Sequence, residues 1–316
     1  MKFKNKVIYA PLAGCSDFPF RKITARFQPG LMFCEMVKMQ PLMMNNENTM
    51  RMLDYSEEMR PIGGQICGSD PKLAGPCAKI IEDLGFDVVD LNCGCPVDKV
   101  TKDGSGSGML KDLERIGEVI ANMVAAVSIP VTVKVRAGWD QESIVAAKVT
   151  RIVEEAGAEA IFVHGRTRKQ GYTGPANWDH IKDAKAAAKK IKVVGNGDIF
   201  DADAAVRMLE ETGCDAVLVA RGTMGQPWIV QDILRALEGK EAIKRDPEEY
   251  RQAFLDHFDH SSQYKDERGA LLDMRRVCSW YLRNAPGARE IRSRAAKGAT
   301  LAEIRKIIET FEFIGC

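Results

Sequence analysis

Short segments rich in β-branched residues recur along the first 220 residues of the chain, at intervals of about 25 to 40 residues. Between them lie stretches in which Ala, Ile, Leu and Val recur at spacings of three and four, as on one face of a helix. This alternation predicts an α/β fold with parallel strands. The eight predicted strands are residues 7–10, 31–34, 61–66, 87–92, 131–135, 160–163, 191–195 and 215–220, and the clearest helical stretches are 71–85, 112–127, 141–156 and 202–213.

The number of strand and helix units favours one fold over its main rival. A closed (β/α)8 barrel, or TIM barrel, typically needs about 250 residues. A doubly wound open sheet would more often stop at about five or six strands. We therefore predict that residues 1–240 form a (β/α)8 barrel.

The apolar pattern changes beyond the predicted barrel, where no further strand is predicted and the spacing becomes purely helical. Phe254 and Phe258, for example, lie about one helical turn apart. Thr300 and Glu303 have the spacing of a capping box, which predicts that the last helix begins there. Residues 244–316 are therefore predicted to form a C-terminal helical bundle.

The composition is that of an ordinary globular protein, with 45 basic and 44 acidic residues and 45% hydrophobic residues, which excludes disordered, collagen-like and coiled-coil classes. No apolar run approaches the roughly 18 residues that a membrane span needs. The opening segment MKFKNKVIYAPLAG lacks the hydrophobic stretch of a signal peptide. The nine cysteines are odd in number and scattered, which fits a reducing compartment. We expect a cytoplasmic protein that does not bind a membrane.

Polar residues stand at most of the predicted strand ends. In barrel enzymes the active site is built at the C-terminal ends of the strands. A single polar residue there is usually a turn former, but thiol, ammonium, imidazole, guanidinium and amide groups together indicate a functional rim. These residues are Cys34 and Glu35, Gln65, Asn92 to Pro96, Lys134 and Arg136, His164 and Arg166, Asn196 to Asp198, and Ala220 to Gly222.

Two glycine-containing loops indicate a phosphate site. Asn196-Gly197-Asp198 and Arg221-Gly222 follow the last two predicted strands, where barrels often bind phosphate through backbone N–H groups and a helix N-terminus. The alternative is two tight turns that need positive φ at glycine. Both motifs at this location favour a phosphorylated cofactor.

Lys134 lies on a strand flanked by valines and would be desolvated there unless it had an anionic or electron-rich partner. Opposite a flavin ring, its cation would stabilise the negative charge of the reduced form. The alternative is a structural salt bridge across the barrel mouth.

The segment Cys93-Gly94-Cys95-Pro96 does not have the spacing of a zinc site, so no metal is expected. Cysteine thiols have an ordinary pKa of about 8.5 and are mostly protonated at neutral pH, so a cysteine here is suited to act as a general acid. Cys93 is better explained as a small buried residue.

The glycine-rich residues 103–108 are predicted to be mobile, either to carry the cysteine over a substrate or as a plain connection. His164 is the one histidine at a strand end.

Together these segments resemble the dihydrouridine synthase family of tRNA-modifying flavoenzymes. The cysteine motif and the HGRTR string, in this order, are highly specific. The resemblance implies an FMN-binding barrel, a C-terminal helical tRNA-binding domain, and reduction of the C5–C6 double bond of particular uridines by NADPH, with NADH also possible. The matching segments are APLAGCSD (10–17), EMV (35–37), GGQI (63–66), LNCGCPVDKV (91–100), VKVRAGWD (133–140), HGRTRKQGYTGPANW (164–178), GNGDI (195–199), ARGTMGQPWI (220–229) and WYLRNAPGARE (280–290).

The resemblance also implies roles for individual residues. Cys95 takes the place of the proton donor. Asn92, His164 and Arg166 match positions near the flavin or the target base. The remaining cofactor residues are Pro11, Leu12 and Ala13 beneath the flavin, Gln65 and Lys134 at its ring edge, and Asn196, Gly197, Asp198, Ala220 and Arg221 around its phosphate.

The charge distribution agrees with an RNA partner. Residues 275–297 hold seven basic residues and one acidic residue, a net charge of +6, around Trp280 and Tyr281. Basic side chains can follow phosphates while an aromatic face stacks on a base. Trp280 and Tyr281 are better explained as core residues of the bundle, and the alternative for the charges is a solvated basic face. The predicted tRNA contacts are Arg166, Arg275, Arg276, Arg283, Arg289 and Arg292.

Three other functions remain open at this point. A flavin barrel acting on a free pyrimidine such as dihydroorotate would have no use for the basic stretch. An aldolase forming a Schiff base at Lys134 would not need the phosphate loops. A catalytically idle RNA-binding protein could retain the fold.

Overall fold

The computed structural model describes residues 1–283 and 288–313. In this part of the chain eight parallel strands close into a barrel, because the strand at residues 31–33 pairs with both the first strand and the strand at 62–67. The barrel strands are β1 (Val7–Tyr9), β2 (Leu31–Phe33), β4 (Ile62–Cys67), β5 (Val88–Cys93), β6 (Val131–Arg136), β7 (Ala160–His164), β8 (Lys192–Asn196) and β9 (Ala216–Val219). The predicted (β/α)8 barrel is confirmed.

One further strand, β3 (Val37–Lys38), pairs with the end of β4 and was not predicted. Its two residues are too short to show an alternating pattern.

Helices surround the barrel, and in several of them a side chain binds a free backbone N–H group at the helix N-terminus. Asp70 accepts from the N–H of Lys72, Asp112 from that of Arg115 and Asp201 from that of Ala204, as N-cap residues do. The helices before residue 240 are α1 (Phe18–Ala25), α2 (Met39–Met43), α3 (Glu47–Met52), α4 (Pro71–Asp83), α5 (Asp98–Thr101), α6 (Leu113–Ala126), α7 (Ala146–Glu155), α8 (Asp179–Ala187), α9 (Ala202–Thr212) and α10 (Ile229–Leu237).

Helix α7 begins five residues later than predicted. Ser143 makes a turn in which its hydroxyl donates to Asp140 (2.6 Å), and Gly138 pairs with Ile144 in an isolated bridge. These local bonds compete with helix formation.

Apolar side chains fill the interior of the barrel. The rings of Phe33 and Phe162 meet edge to face, with 5.5 Å between their centroids. A Cβ at Gly63 would lie 2.3 Å from the Phe33 ring, so the barrel needs glycine at this position. The interior is therefore a packed core at this level, and a ligand can enter only at the rim.

The C-terminal helices form a second apolar cluster. Its core includes Phe254 and Tyr281, whose rings stack with centroids 4.5 Å apart. Trp280 and Tyr281 are both buried, which confirms their core packing. Phe20 of α1 belongs to the same cluster, so the helices pack on the barrel. The helices are α11 (Pro247–Tyr264), α12 (Glu267–Tyr281), α13 (Ala288–Lys297) and α14 (Leu301–Thr310).

The predicted start of the last helix is confirmed. Thr300 caps α14 by accepting from the N–H of Glu303 (3.2 Å), and the Glu303 carboxylate accepts from the N–H of Ala299 (2.6 Å). Within residues 1–283 and 288–313, none of the helices combines the length and apolar character that crossing a bilayer requires.

Candidate active site

A cavity of about 380 Å³ opens at the C-terminal ends of the barrel strands. This volume lies within the range of about 300 to 1,000 Å³ that small-molecule sites occupy. The cavity is lined by Cys95 and by all twelve residues that the sequence suggests for the cofactor. Parallel strands deliver their C-terminal ends to one rim, so residues up to 210 positions apart meet there.

A chain of buried hydrogen bonds runs from the barrel interior to the cavity. The carboxylate of Asp90 accepts from Gln65 Nε2 (2.7 Å), and Gln65 Oε1 accepts from Asn92 Nδ2 (2.8 Å). Asn92 Oδ1 then accepts from the backbone N–H groups of Gly94 (3.0 Å) and Cys95 (2.9 Å). The predicted residues Gln65 and Asn92 are thus bound to each other and to the cysteine loop.

The loop carrying Cys95 is held from both sides. The N–H of Cys95 donates to Asn92 Oδ1, and the carbonyl of Cys95 accepts from the N–H (3.0 Å) and the hydroxyl (2.9 Å) of Ser107. Arg136 Nε donates to the carbonyl of Gly94 (2.9 Å). The backbone is fixed by its neighbours, and the side chain of Cys95 lines the cavity.

The second half of the glycine-rich segment, residues 105–108, is packed, whereas Asp103 and Gly104 are exposed. This corrects the expectation that the whole segment is mobile. Ser105 and Ser107 are buried, and a Cβ at Gly106 would lie 2.9 Å from the carbonyl of Cys95. The glycines therefore allow a close approach that supports the cysteine loop.

Cys93 is fully buried, whereas Cys95 is partly exposed. Cys93 is 0% exposed, and burial raises its pKa well above the ordinary value, as expected for a small buried residue. Among the described residues, no group of three or more His, Cys, Asp or Glu side chains is placed to hold a metal ion.

Lys134 reaches into the rim of the barrel. Its Nζ donates to Asn196 Oδ1 (3.2 Å), and Asn196 is oriented in turn by donating Nδ2 to the carbonyl of Leu218 (2.7 Å). Burial and the nearby Arg136 charge lower the pKa of Lys134 to about 8, against the opposing effect of the Asp90 carboxylate. The ammonium is thus available for an electron-rich ligand atom and is easily deprotonated.

His164 is the neighbour of Asn196 across strands β7 and β8. Burial first, and then the positive charges of Lys134 and Arg136, lower the pKa of His164 well below its ordinary value. Its imidazole is therefore neutral at neutral pH, with one nitrogen able to donate and the other able to accept.

Asp198 connects two arginines at the phosphate loops. Arg166 donates to both of its carboxylate oxygens (2.7 and 2.8 Å), and Arg221 donates to one of them (3.2 Å). Burial alone would raise the pKa of Asp198, but these bonds and charges lower it. The carboxylate is therefore ionised and orients the arginines. Arg166 is itself buried and also donates to the carbonyl of Gly174.

Tyr172 lines the cavity and was not singled out from the sequence. It is 58% exposed, and the guanidinium carbons of Arg221 and Arg136 lie 4.5 and 5.7 Å from its ring centroid. The sequence signal for it is a single aromatic residue between two glycines in the loop after β7.

Some arginines of the basic stretch at residues 275–297 bind other parts of the protein, and others are exposed. Arg275 donates to the carbonyl of Gly298, and Arg276 pairs with Asp273. Arg283 and Arg289 are exposed and Arg292 is half-buried. Residues 284–287 of the motif at 280–290 and the C-terminal residues 314–316 of the predicted bundle, including one of the nine cysteines, lie outside the described residues.

Similarity to known proteins agrees with this geometry. The sequence model described as Dihydrouridine synthase matches residues 8–313. The chain is 36% identical to tRNA-dihydrouridine synthase B of Pseudomonas aeruginosa over 290 residues, covering 92% of this chain and 87% of the relative. It is 35% identical to tRNA-dihydrouridine synthase B of Vibrio vulnificus over 292 residues, covering 92% and 90%.

A solved structure shares the fold at much lower sequence similarity. Morphinone reductase superimposes with a TM-score of 0.53 at 13% identity, over 79% of this chain and 90% of that one. The family match covers most of the chain and includes both the barrel rim and the C-terminal helices. The chain therefore belongs to the dihydrouridine synthase family and is an enzyme.

Proposed function

We propose that this enzyme reduces the C5–C6 double bond of particular uridines in tRNA to 5,6-dihydrouridine, with FMN as its flavin and NADPH as its reductant. The observation that carries the proposal is the single cavity that collects Cys95 and the twelve candidate cofactor residues. The names of the relatives, tRNA-dihydrouridine synthase B, support the substrate.

The residues of the cavity suit FMN. Lys134 provides a cation beside the amides of Gln65 and Asn92, which matches the oxygen- and nitrogen-rich edge of a flavin ring. Pro11, Leu12 and Ala13 offer an uncharged surface for the flat ring. When bound, FMN would supply the hydride that reduces C6 of the uracil.

The loops after β8 and β9 would hold the phosphate of the cofactor. Gly197 has a φ of 129° and Asp198 a φ of 55°, so the chain turns sharply beside the cavity. A Cβ at Gly222 would lie 2.2 Å from the carbonyl of Ile199, so the two loops touch. Arg221 supplies a charge-assisted donor, and Asp198 holds its guanidinium.

The protein itself supplies position and a proton. In this proposal the Cys95 thiol donates its proton to C5 of the uracil and is reprotonated from water. The neutral imidazole of His164 orients the base or the flavin by hydrogen bonds without adding charge, while the Asn92 amide holds the loop that carries Cys95. The uridine must leave its stack to reach the cavity.

We further propose that residues 1–240 form the catalytic domain and residues 244–316 the tRNA-binding domain. The exposed arginines Arg283 and Arg289 support this division, because basic side chains on a surface bind phosphates. Arg275 and Arg276 are engaged within the helical domain, and their contribution would be to shape this surface. Arg166 is bound to Asp198 in the barrel, so its contribution would be to the cavity.

A colour change tests the proposed reaction. Purified full-length protein loaded with FMN should lose its flavin absorbance when NADPH is added without oxygen. After excess NADPH is removed, tRNA lacking dihydrouridine should restore the absorbance and acquire the modified base, detected by mass spectrometry. Restoration by free uridine or orotate instead of tRNA would assign the enzyme to a free pyrimidine, and protein that binds tRNA but never bleaches would be an idle RNA-binding protein.

A charge reversal tests the tRNA surface. Arg289→Glu combined with Arg292→Glu should weaken tRNA binding and flatten its salt dependence, since each lost phosphate contact removes about 0.7 to 0.9 from the slope of log affinity against log salt. The matched control is Lys148→Glu with Arg151→Glu, which makes the same charge change at exposed residues of α7. Affinity is measured at several salt concentrations, with the thermal midpoint as a check on folding. Equal slopes for the two double variants would contradict the assignment.

A further inference from the structure

We propose that Asp90 is a positioning residue, which acts through the amides of Gln65 and Asn92 to hold the backbone N–H groups of the loop that carries Cys95. The consequence for catalysis rests on the proposed function, in which Cys95 donates a proton. The positioning itself can be measured without any substrate.

Asp90 is a carboxylate buried inside the barrel. It is 1% exposed and pairs across strands with Gln65 on β4 and Thr132 on β6. Its carboxylate accepts from Thr132 Oγ1 (2.6 Å) and from Gln65 Nε2 (2.7 Å). Burying a carboxylate is costly unless it is hydrogen-bonded. Burial raises the pKa of Asp90 to about 6, so the group remains ionised at neutral pH.

An ionised carboxylate can only accept hydrogen bonds, so it determines which end of the Gln65 amide faces it. Gln65 must turn Nε2 towards Asp90, which leaves Oε1 for Asn92. Asn92 must then turn Nδ2 towards Gln65, which leaves Oδ1 for the loop. Each amide has one donor end and one acceptor end, and the orientation is thereby passed from the barrel interior to the rim.

The chain of bonds ends on two backbone donors beside the thiol. The N–H groups of Gly94 and Cys95 both donate to Asn92 Oδ1. The carbonyls of the same residues are held separately, by Arg136 and by Ser107. Loss of Asp90 would therefore release the N–H side of the loop while its carbonyl side remains bound, and the backbone that carries the thiol would be less firmly held.

Hydrogen exchange of the full-length protein, measured by mass spectrometry on peptides covering residues 92–97, tests this inference. Asp90→Ala should speed exchange at Gly94 and Cys95 by about tenfold, the effect of one lost hydrogen bond. Asp90→Asn keeps an acceptor for Gln65 and should restore protection. Asp87→Ala is the matched control, because Asp87 binds Arg60 and the Ile62 N–H at the opposite end of the same strands. It should leave residues 92–97 protected.

A second variant separates loss of the hydrogen-bond chain from misfolding caused by Asp90→Ala. Gln65→Met breaks the chain of bonds but leaves Asp90 its bond from Thr132, and it should expose the same two N–H groups. Dihydrouridine formation should fall in Asp90→Ala and recover in Asp90→Asn. Unchanged exchange in both Asp90→Ala and Gln65→Met, or equal acceleration in all barrel strands, would overturn the inference. A parent protein that forms no dihydrouridine would instead refute the proposed function and leave the exchange result standing.

Discussion

Cys95→Ala should lose most dihydrouridine formation while still binding FMN and oxidising NADPH. General acids typically contribute about 10² to 10⁴ in rate, and the loss should fall within this range. The backbone of Cys95 is held by Asn92 and Ser107 independently of the thiol, so the variant should keep the loop in place. Single-turnover formation of dihydrouridine, measured next to flavin reduction by NADPH, separates the two half-reactions.

The matched control for this variant is Cys15→Ala. Cys15 also lines the cavity and is partly exposed, and burial is the main cause that raises its pKa. It should therefore remain a thiol, and its removal should change the rate of dihydrouridine formation little. A normal rate in Cys95→Ala with a large loss in Cys15→Ala would move the proton donor to Cys15. Normal rates in both variants would make His164 the next candidate.

Lys134→Met should weaken flavin binding and slow reduction by NADPH, by about 10- to 150-fold for one charged hydrogen bond worth about 1.5 to 3 kcal/mol. Flavin binding by the parent protein should also depend on pH. The pKa of Lys134 is about 8 in the protein without ligand, so the ammonium predominates below pH 8 and is lost as the pH rises through this value. Flavin affinity in the parent should therefore fall above pH 8, and the Met variant should not show this fall.

Flavin affinity and reduction rate between pH 6.5 and 9.5 provide the measurement. Lys192→Met is the control, since Lys192 pairs with Asp215 at the opposite end of the barrel. The control variant should keep the pH profile of the parent. A parent profile that is flat above pH 8 would show that Lys134 does not titrate there. A Lys134→Met variant that retains the fall would show that another group titrates.

The barrel strands could be predicted because their pattern is local. Most core strands are short apolar runs rich in β-branched residues, and this pattern depends only on residues a few positions apart. The exceptions have local causes as well. Strand β3 is two residues long, and the start of α7 is delayed by the side chain of Ser143.

The candidate site could be predicted as a set of residues but not as a network. In a parallel barrel every strand delivers its C-terminal end to one rim, so the identity of the residues at those ends already placed Cys95, Lys134 and Asn196 together. The partner of each side chain depends on register and rotamer. The sequence therefore did not show that Arg166 is committed to Asp198, or that residues 105–108 pack against the cysteine loop.

The sequence by itself determined the barrel, the helical C-terminal region and the residues of the rim, because periodicity and strand ends are properties of neighbouring residues. Only the tertiary structure decided that the buried Asp90 orients Gln65 and Asn92, and that Trp280 and Tyr281 serve the core of the bundle. These outcomes depend on contacts between residues far apart in the chain. Barrel closure and helix packing create those contacts, and burial then decides which polar groups must pair.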